Sequence, residues 1–211
     1  MTTICIIADT HRRHRELVIP PCDLLIHCGD MCRFQQDDMG TLEDIDCWFE
    51  EVPAKRVVCI GGNHDFGLQS RVFRFAHAEY LCDSLIEVEG LKIYGAPWIP
   101  DLSRFAFYLP EKALAEKWSR IPAGIDILIT HTPPQGILDV PSSGDGHLGC
   151  PHLRRELERI QPRLHVFGHI HASHGSRVER GIQFYNAAVA AGRDFHIAHP
   201  PFVHKLPGQS F

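Results

Sequence analysis

The strongest constraint in this sequence is a pattern that occurs five times: a short apolar run that ends in a polar residue able to bind a metal ion. Each run has the length and the β-branched content of a buried strand. Active sites gather at the carboxyl ends of parallel strands, so the pattern predicts one shared site. The runs and their terminal residues are 2–8 with Asp9, 22–30 with Asp30, 56–65 with Asn63 and His64, 125–131 with His131, and 164–171 with His169 and His171.

Helical periodicity lies between the apolar runs, as parallel strands require. Apolar residues recur at helical spacing in segments 40–52, 110–121 and 150–160, and the third has a proline suited to a first helical turn. Segments 85–98 and 175–190 have the pattern of antiparallel hairpins. We therefore predict an α/β fold with a mixed, layered sheet.

The composition is that of a globular protein with one core. With 211 residues, 44% of them hydrophobic, we predict a single domain over residues 1–211. The net charge of −5 argues against a nucleic-acid or anionic-membrane partner, so an anionic ligand needs a local positive centre. We find no apolar run of the ~20 residues that span a membrane and no signal peptide. The eight cysteines lack paired spacing, which favours reduced thiols, and we expect a cytoplasmic protein.

The polar residues at the strand ends are nitrogen and oxygen donors. Histidine is frequent, with 15 residues against five lysines, and it is the commonest metal ligand. Such a donor set suits Mn²⁺, Fe²⁺, Zn²⁺ or Co²⁺ better than Ca²⁺ or Mg²⁺. In "DTH" and "HIH" the donors are two residues apart, and on a straight strand both would face one ion. The candidate ligands are Asp9, His11, Asp30, Asn63, His131, His169 and His171.

At these residues the sequence resembles the calcineurin-like metallophosphoesterases. Their pattern of five blocks is present in order, across about three-quarters of the chain, as "DTH" 9–11, "GD" 29–30, "GNHD" 62–65, "TH" 130–131 and "GHIH" 168–171. The segments "GAPW", "LHVFGHIH" and "YNAAV" further resemble the small phosphodiesterases of the metallophosphoesterase-domain, fetal-brain type and their bacterial relatives. The resemblance implies a four-layer α/β/β/α sandwich of two mixed β-sheets flanked by helices.

The resemblance also implies a centre of two divalent metal ions. Mn²⁺ is the favoured ion, with Fe²⁺, Zn²⁺ and Co²⁺ as alternatives. Two such ions bring four positive charges, two aspartates and a bridging hydroxide remove three, and the remaining charge would attract a phosphate anion. The implied ligands are Asp9, His11 and His171 for the first ion, Asn63, His131 and His169 for the second, and Asp30 as the bridge between them.

We hypothesise that a hydroxide bridging the two ions attacks a phosphoester. His64 would protonate the leaving alkoxide. Asp65 would either orient that imidazole or cap the turn that follows, and the sequence leaves both roles open. The residues expected to contact a small phosphoester substrate, a nucleotide among the candidates, are Asn63, His64, Arg33 and His147.

Several other residues have an ordinary structural interpretation. His27 and His165 lie inside strands and are expected to be hydrogen-bonded core groups. Phe105 could stack on a substrate, although core packing is favoured. Asn186 is expected to make a structural hydrogen bond. The glycine-rich loop 141–150 either covers the site or is an exposed loop, and the second interpretation is favoured.

Three functions fit the sequence to different degrees. The first is a phosphodiesterase that hydrolyses cyclic nucleotides or similar small diesters. The second is a phosphomonoesterase, which shares the same metal chemistry. The third is a non-catalytic scaffold, which the complete ligand set disfavours. A DNA nuclease is disfavoured because lysine-rich patches are absent from the sequence.

Overall fold

The computed structural model describes residues 1–34 and 38–207. Its strands are β1 Thr2–Ile7, β2 Cys22–His27, β3 Ala54–Cys59, β4 Glu79–Tyr80, β5 Ser84–Val88, β6 Leu91–Ala96, β7 Ile127–Thr130, β8 Leu164–Phe167, β9 Gly175–Glu179, β10 Ile182–Asn186, β11 Ala190–Ala191, β12 His196–Ile197 and β13 Phe202–Leu206. Its α-helices are α1 Asp38–Glu51, α2 Phe66–Gln69, α3 Glu111–Ser119 and α4 Pro151–Ile160.

The strands form two mixed sheets and a short ribbon. The first sheet has the order β13-β1-β2-β3-β4, in which β1 to β4 are parallel and β13 is antiparallel to β1. The second sheet has the order β5-β6-β7-β8-β10-β9, with parallel pairing from β6 to β10 and an antiparallel strand at each edge. β11 and β12 form the separate antiparallel ribbon.

The two sheets pack face to face, and helices cover their outer faces. Successive side chains of a strand point to opposite faces, so each strand contributes to two layers of core. Ile4 of β1 and Ile127 of β7 lie in the core between the sheets. Cys5 packs on the outer face with α1, and Leu128 packs on the other outer face with α3 and α4. The arrangement is the α/β/β/α sandwich implied by the family resemblance.

The three helices expected from periodicity are present. In α1, Leu42, Ile45 and Phe49 are buried against the first sheet, and in α4 Leu153 is buried against the second. Pro151 lies in the first turn of α4, where its missing N–H costs no hydrogen bond. Both expected hairpins are also present, as β5-β6 and β9-β10. Among the described residues, no helix is both long and apolar enough to cross a bilayer.

The carboxyl ends of the two sheets meet at one rim. The N–H of Ala8, after β1, donates to the carbonyl of Ala187, after β10, at 2.9 Å. Within the second sheet, the N–H of Gly168 donates to the carbonyl of His131 at 3.1 Å. These bonds hold the loops that follow β1, β7, β8 and β10 together, so the polar residues on them share one place.

We expect Trp118→Ala to destabilise the protein by ~3–5 kcal/mol, the usual range when a large aromatic side chain leaves a cavity in a core. Trp118 is fully buried between α3 and the second sheet, and its Nε1–H donates to Sγ of Cys150 at 3.2 Å. Urea unfolding measures the change. Val72→Ala, at a side chain that is 65% exposed, is the control and should shift stability by less than ~0.5 kcal/mol. Equal shifts for both variants would contradict the layer assignment.

Candidate metal centre

The predicted ligands lie in the loops after the strands, and four of them have a left-handed backbone. φ is 57° at Asp9, 43° at His11, 57° at Asp30 and 70° at His169. Such a conformation costs on the order of 1–3 kcal/mol outside glycine, and in addition to turns it occurs at active sites. β1 ends at Ile7 and β8 ends at Phe167, so both "DTH" and "HIH" lie beyond their strands. The expectation that the donors of each motif share one face of a straight strand is therefore wrong. Turns aim these side chains.

Two glycines let the backbone approach the ligands very closely. A Cβ on Gly62 would lie 2.3 Å from Oδ1 of Asp30, and a Cβ on Gly168 would lie 2.1 Å from Oδ2 of Asp9. Both distances are well inside van der Waals contact, so a side chain at either glycine would displace a ligand. Steric exclusion of any side chain therefore explains why the "GNHD" and "GHIH" blocks begin with glycine.

Asp9, His11 and His171 form the first cluster of donors. Nε2 of His11 lies 3.2 Å from Nε2 of His171, which lies 3.3 Å from Oδ1 of Asp9. The ligand atoms of all three lie within 4.8 Å of one another. Two donors that bind one ion at ~2.1 Å and at right angles are about 3.0 Å apart, so these spacings suit a shared ion.

Asn63, His131 and His169 form the second cluster. Oδ1 of Asn63 lies 2.9 Å from Nε2 of His131 and 2.8 Å from Nδ1 of His169. His169 thus belongs to this cluster, whereas His171 belongs to the first. The two histidines of "HIH" therefore lie in different clusters.

The carboxylate of Asp30 lies between the two clusters. Its Oδ2 is 3.8 Å from Nε2 of His11, and its Oδ1 is 3.4 Å from Nε2 of His131. Each oxygen therefore faces a different cluster. The side chain is buried, so the negative charge cannot be balanced by bulk water. A single carboxylate shared by two cations would place one oxygen at each cluster and would balance the buried charge.

The hydrogen bonds behind the histidines show that this donor set fits metal ions. Nδ1 of His131 lies 2.9 Å from the carbonyl of Cys28, and Nδ1 of His11 lies 3.0 Å from the carbonyl of Cys32. Each Nδ1–H donates to its carbonyl, so each Nε2 presents a lone pair to the centre. The lone pair of His131 then faces the acceptor oxygens of Asn63 and Asp30. Such a group of acceptors requires a positive charge among them, either a metal ion or a proton on Nε2 of His131.

The pKa shifts agree with this electrostatic demand. Burial lowers the pKa of His11 to about 4, so its Nε2 is free to act as a ligand at neutral pH. Burial also opposes protonation of His131, but the Asp30 and Asp9 carboxylates outweigh it and raise the pKa to about 9. The carboxylates therefore favour a positive charge at this place, which a proton on Nε2 of His131 supplies without an ion and which a metal ion would supply in its stead.

His64 lies at the edge of the centre, beside the shared carboxylate. Its backbone N–H donates to Oδ1 of Asp30 at 2.8 Å, and its Nε2 is 3.9 Å from Oδ2 of the same residue. The N–H of Phe34 donates to Nδ1 of His64 at 2.9 Å. Because Nδ1 accepts, the ring proton lies on Nε2, the nitrogen directed at the centre.

Asp65 has a different place from either of the roles expected for it. Its carboxylate makes no contact with His64 and does not cap α2. It accepts four backbone N–H groups at 2.8–3.0 Å, from Asp30, Met31, Cys32 and Gly62. Both expectations are wrong because the loop after β2 offers a denser set of donors. Burial first and the Asp30 carboxylate second raise the pKa of Asp65 to about 7.

Two expected substrate contacts have distinct surroundings. The guanidinium of Arg33 lies 4.9 Å from the ring centroid of Phe195, which is itself 4.1 Å from the ring centroid of His11. Arg33 is therefore held at the edge of the centre. The imidazole of His147 is paired elsewhere: its Nδ1 lies 2.7 Å from the buried carboxylate of Asp139, and half of its side chain is exposed.

A cleft of about 530 Å³ opens beside the two histidines of the "GHIH" block. His169 and His171 lie on one wall, and Pro141, Ser142 and Leu148 of the glycine-rich loop lie on another. Part of the glycine-rich loop therefore borders the centre. The sequence alone favoured an exposed loop over one that covers the site.

Two residues at the centre escaped the sequence analysis. Phe195 lies in the turn between β11 and β12, and Asp101 lies 3.2 Å from Nε2 of His169 in the loop between β6 and α3. Phe195 follows no apolar run, and the apolar segment before Asp101 contains Pro97 and Pro100, which break the pattern of a strand. Phe105, expected in the core, instead packs its ring 5.3 Å from that of His64.

The expected structural residues behave as predicted, with one difference. Asn186 donates to the carbonyl of Ile170 at 2.9 Å and so supports the loop between the two histidine ligands. His27 is hydrogen-bonded to Thr10 at 3.0 Å. His165 is bonded to Thr130 at 2.9 Å through Nε2, but its Nδ1 has no partner among the described residues.

Comparison with known proteins finds curated relatives over nearly the whole chain. Human metallophosphoesterase domain-containing protein 1 is 32% identical over 235 residues, which cover 98% of this chain and 71% of that protein. UPF0046 protein C25E10.12 of Caenorhabditis elegans is 34% identical over 230 residues, which cover 97% of this chain and 80% of that protein.

Solved structures share the fold at low identity. One superposes with a TM-score of 0.64 and 13% identity over 88% of this chain and 90% of the other. TT1561 of Thermus thermophilus superposes with a TM-score of 0.57 and 13% identity over 88% of each chain. The model of the family described as calcineurin-like phosphoesterase matches residues 2–173. This chain therefore belongs to the calcineurin-like phosphoesterase family.

Proposed function

We propose that the chain is a phosphodiesterase that hydrolyses cyclic nucleotides or similar small diesters. The family uses a dinuclear divalent metal centre, and the chain has candidate ligand groups for it. The observation that carries the proposal is the Asp30 carboxylate with one oxygen toward each donor cluster. The proposal includes manganese as the bound ion, because nitrogen and oxygen donors suit it. It also includes the cytoplasm as the compartment, because the cysteines lack paired spacing.

The bound ions would supply Lewis acidity and an activated water at neutral pH. The protein's own part is to hold this charge and orient the ester. Asp9 and Asp30 balance only part of it, and the neutral Asn63 adds no negative charge, so a net positive centre remains for the phosphate. After the hydroxide nucleophile is counted, one positive charge is left, which matches the single charge of a phosphodiester.

The surroundings of the centre support a substrate with an apolar or planar portion. Phe195, whose ring packs on that of His11, restrains the guanidinium of Arg33 by a cation–π contact, and we propose that this guanidinium binds a non-bridging phosphate oxygen. Phe105 borders His64, where a leaving group would depart. We propose that these aromatic rings contact the base or aryl group of the ester.

We propose that His64 assists the departure of the leaving oxygen through its Nε2–H. The contact from Phe34 to Nδ1 favours a neutral ring that donates a hydrogen bond to the developing alkoxide. Complete proton transfer, as expected from the sequence, requires a ring protonated on both nitrogens, and the Phe34 contact must then open. Asp65 acts on His64 only by holding the loop backbone around it.

Elemental analysis combined with a panel of cyclic nucleotides, aryl diesters and aryl monoesters tests the proposal. We expect two metal ions per chain and a higher kcat/KM for diesters than for monoesters. A preference for monoesters would favour the phosphomonoesterase instead. Failure to retain two ions, with no turnover of any ester, would favour the non-catalytic scaffold.

We expect Asp30→Asn to lower the metal content below two ions per chain and to abolish turnover at ordinary metal concentrations. An amide offers one oxygen ligand and no negative charge, and loss of a direct ligand should cost more than the roughly 10–100-fold in affinity typical of an outer group. Metal content after gel filtration measures this. Asp23→Asn, the same change at the opposite end of β2, is the control and should retain both ions. Two tightly bound ions in Asp30→Asn would remove the bridging role.

We expect His64→Ala to retain two ions while kcat falls by ~10²–10⁴-fold, the usual contribution of acid–base assistance. The defect should be smaller for esters whose leaving groups are already stable anions, because these need little assistance. Steady-state kinetics on a series of aryl diesters measures both effects. His77→Ala, at an exposed histidine hydrogen-bonded to α1, is the matched control. Unchanged turnover in His64→Ala would contradict the assigned role.

A further inference from the structure

We propose that Asp101 is a positioning residue that sets the tautomer of His169 and thereby controls occupancy of the second metal position. The inference rests on the two-ion centre of the proposed function. Asp101 lies outside all five sequence blocks, in the loop between β6 and α3. Its carboxylate reaches the outer nitrogen of His169, a candidate ligand of the second cluster.

The contact defines the direction in which His169 presents its lone pair. Oδ1 of Asp101 lies 3.2 Å from Nε2 of His169, and a carboxylate can only accept, so Nε2–H donates to it. In the neutral ring Nδ1 then carries the lone pair, and Nδ1 lies 2.8 Å from Oδ1 of Asn63, inside the second cluster, where a bound ion would accept that lone pair. Without Asp101, the proton is free to move to Nδ1, and the ring would then present an N–H to an ion.

This arrangement has a counterpart at the other buried ligands. His11 and His131 are held in their tautomers by the carbonyls of Cys32 and Cys28, which are neutral acceptors. His169 alone among these three is held by a charged side chain. Since outer carboxylates raise the basicity of a ligating imidazole, Asp101 should strengthen the bond of His169 to an ion.

The two metal positions differ in how much negative charge surrounds them. The first cluster contains the carboxylate of Asp9 and one oxygen of Asp30. The second contains neutral donors and the other oxygen of Asp30. Asp101 therefore adds negative charge where it is scarce, and its removal should affect the second position selectively.

The loop that carries Asp101 is attached to the same cluster at a second point. The N–H of Ala106 donates to the carbonyl of Asn63 at 3.0 Å, and the N–H of Ile99 donates to the carbonyl of Phe107 at 3.0 Å within the loop. The segment thus holds Asp101 at a fixed distance from Asn63.

Titration of the metal-free protein with Mn²⁺ tests the inference without any substrate. In Asp101→Ala we expect one of the two sites to weaken by roughly 10–100-fold and the other to change by less than about 3-fold. Asp101→Asn keeps an acceptor for Nε2–H and should lie closer to the wild type. Electron paramagnetic resonance at two equivalents of Mn²⁺ should show the coupled pair in the wild type and mainly isolated ions in Asp101→Ala.

Glu111→Ala is the matched control, because Glu111 lies 3.0 Å from Nε2 of His152 at the surface, in a carboxylate–histidine pair outside the centre. It should bind two ions with wild-type affinities. Two wild-type affinities in Asp101→Ala, or equal weakening of both sites, would overturn the inference.

The Zn²⁺-loaded wild type, which is diamagnetic, gives a second test that does not depend on any variant folding. The ¹⁵N shifts of the His169 ring should report a proton on Nε2 and the ion on Nδ1, and the reverse assignment would overturn the inference. These measurements also separate this inference from the proposed function. A chain that binds two ions in an Asp101-dependent way but hydrolyses no ester would end the proposed function alone.

Discussion

Two buried carboxylates that cannot be balanced by water, Asp9 and Asp30, are the constraint on which the rest of the centre depends. Isolated buried charges are costly, so the surrounding residues must either pair with them or attract cations. Histidines 11, 131 and 171 surround them, with lone pairs directed inward by backbone carbonyls at His11 and His131. The glycines and left-handed turns make this crowding sterically possible.

Asp65 shows how the fold keeps that crowding in place. Its carboxylate joins the loop after β2 to the turn after β3 through four backbone N–H groups, and so fixes Asp30 relative to Asn63. Asp65, which its place in the "GNHD" block suggests as a catalytic residue, instead joins two loops that carry candidate ligands. Because Asp65 holds the backbone of these loops, the side chain of His64 remains available for the proposed substrate.

Much of this arrangement could be predicted from the sequence, because its signals are local. Apolar runs and helical periodicity predicted the α/β class and the three main helices, whereas the family resemblance carried by the five blocks implied the layers and the grouping of the candidate ligands. β13 was missed because its pairing with β1 joins residues about 200 positions apart in the chain. Phe195 and Asp101 were missed for the same reason: each reaches the centre from a loop, and only tertiary packing brings it there.

The ligands are divided between the two halves of the sandwich. Asp9, Asp30 and Asn63 follow strands of the first sheet, whereas His131, His169 and His171 follow strands of the second. Ions held by both sets would act as a cross-link, and their binding free energy would add to the resistance against unfolding, by about 2.7 kcal/mol at a free ion concentration 100 times the dissociation constant. The lifetime of such a protein would then follow the supply of the trace element in its surroundings, and starvation for that element would remove the catalyst along with its activity.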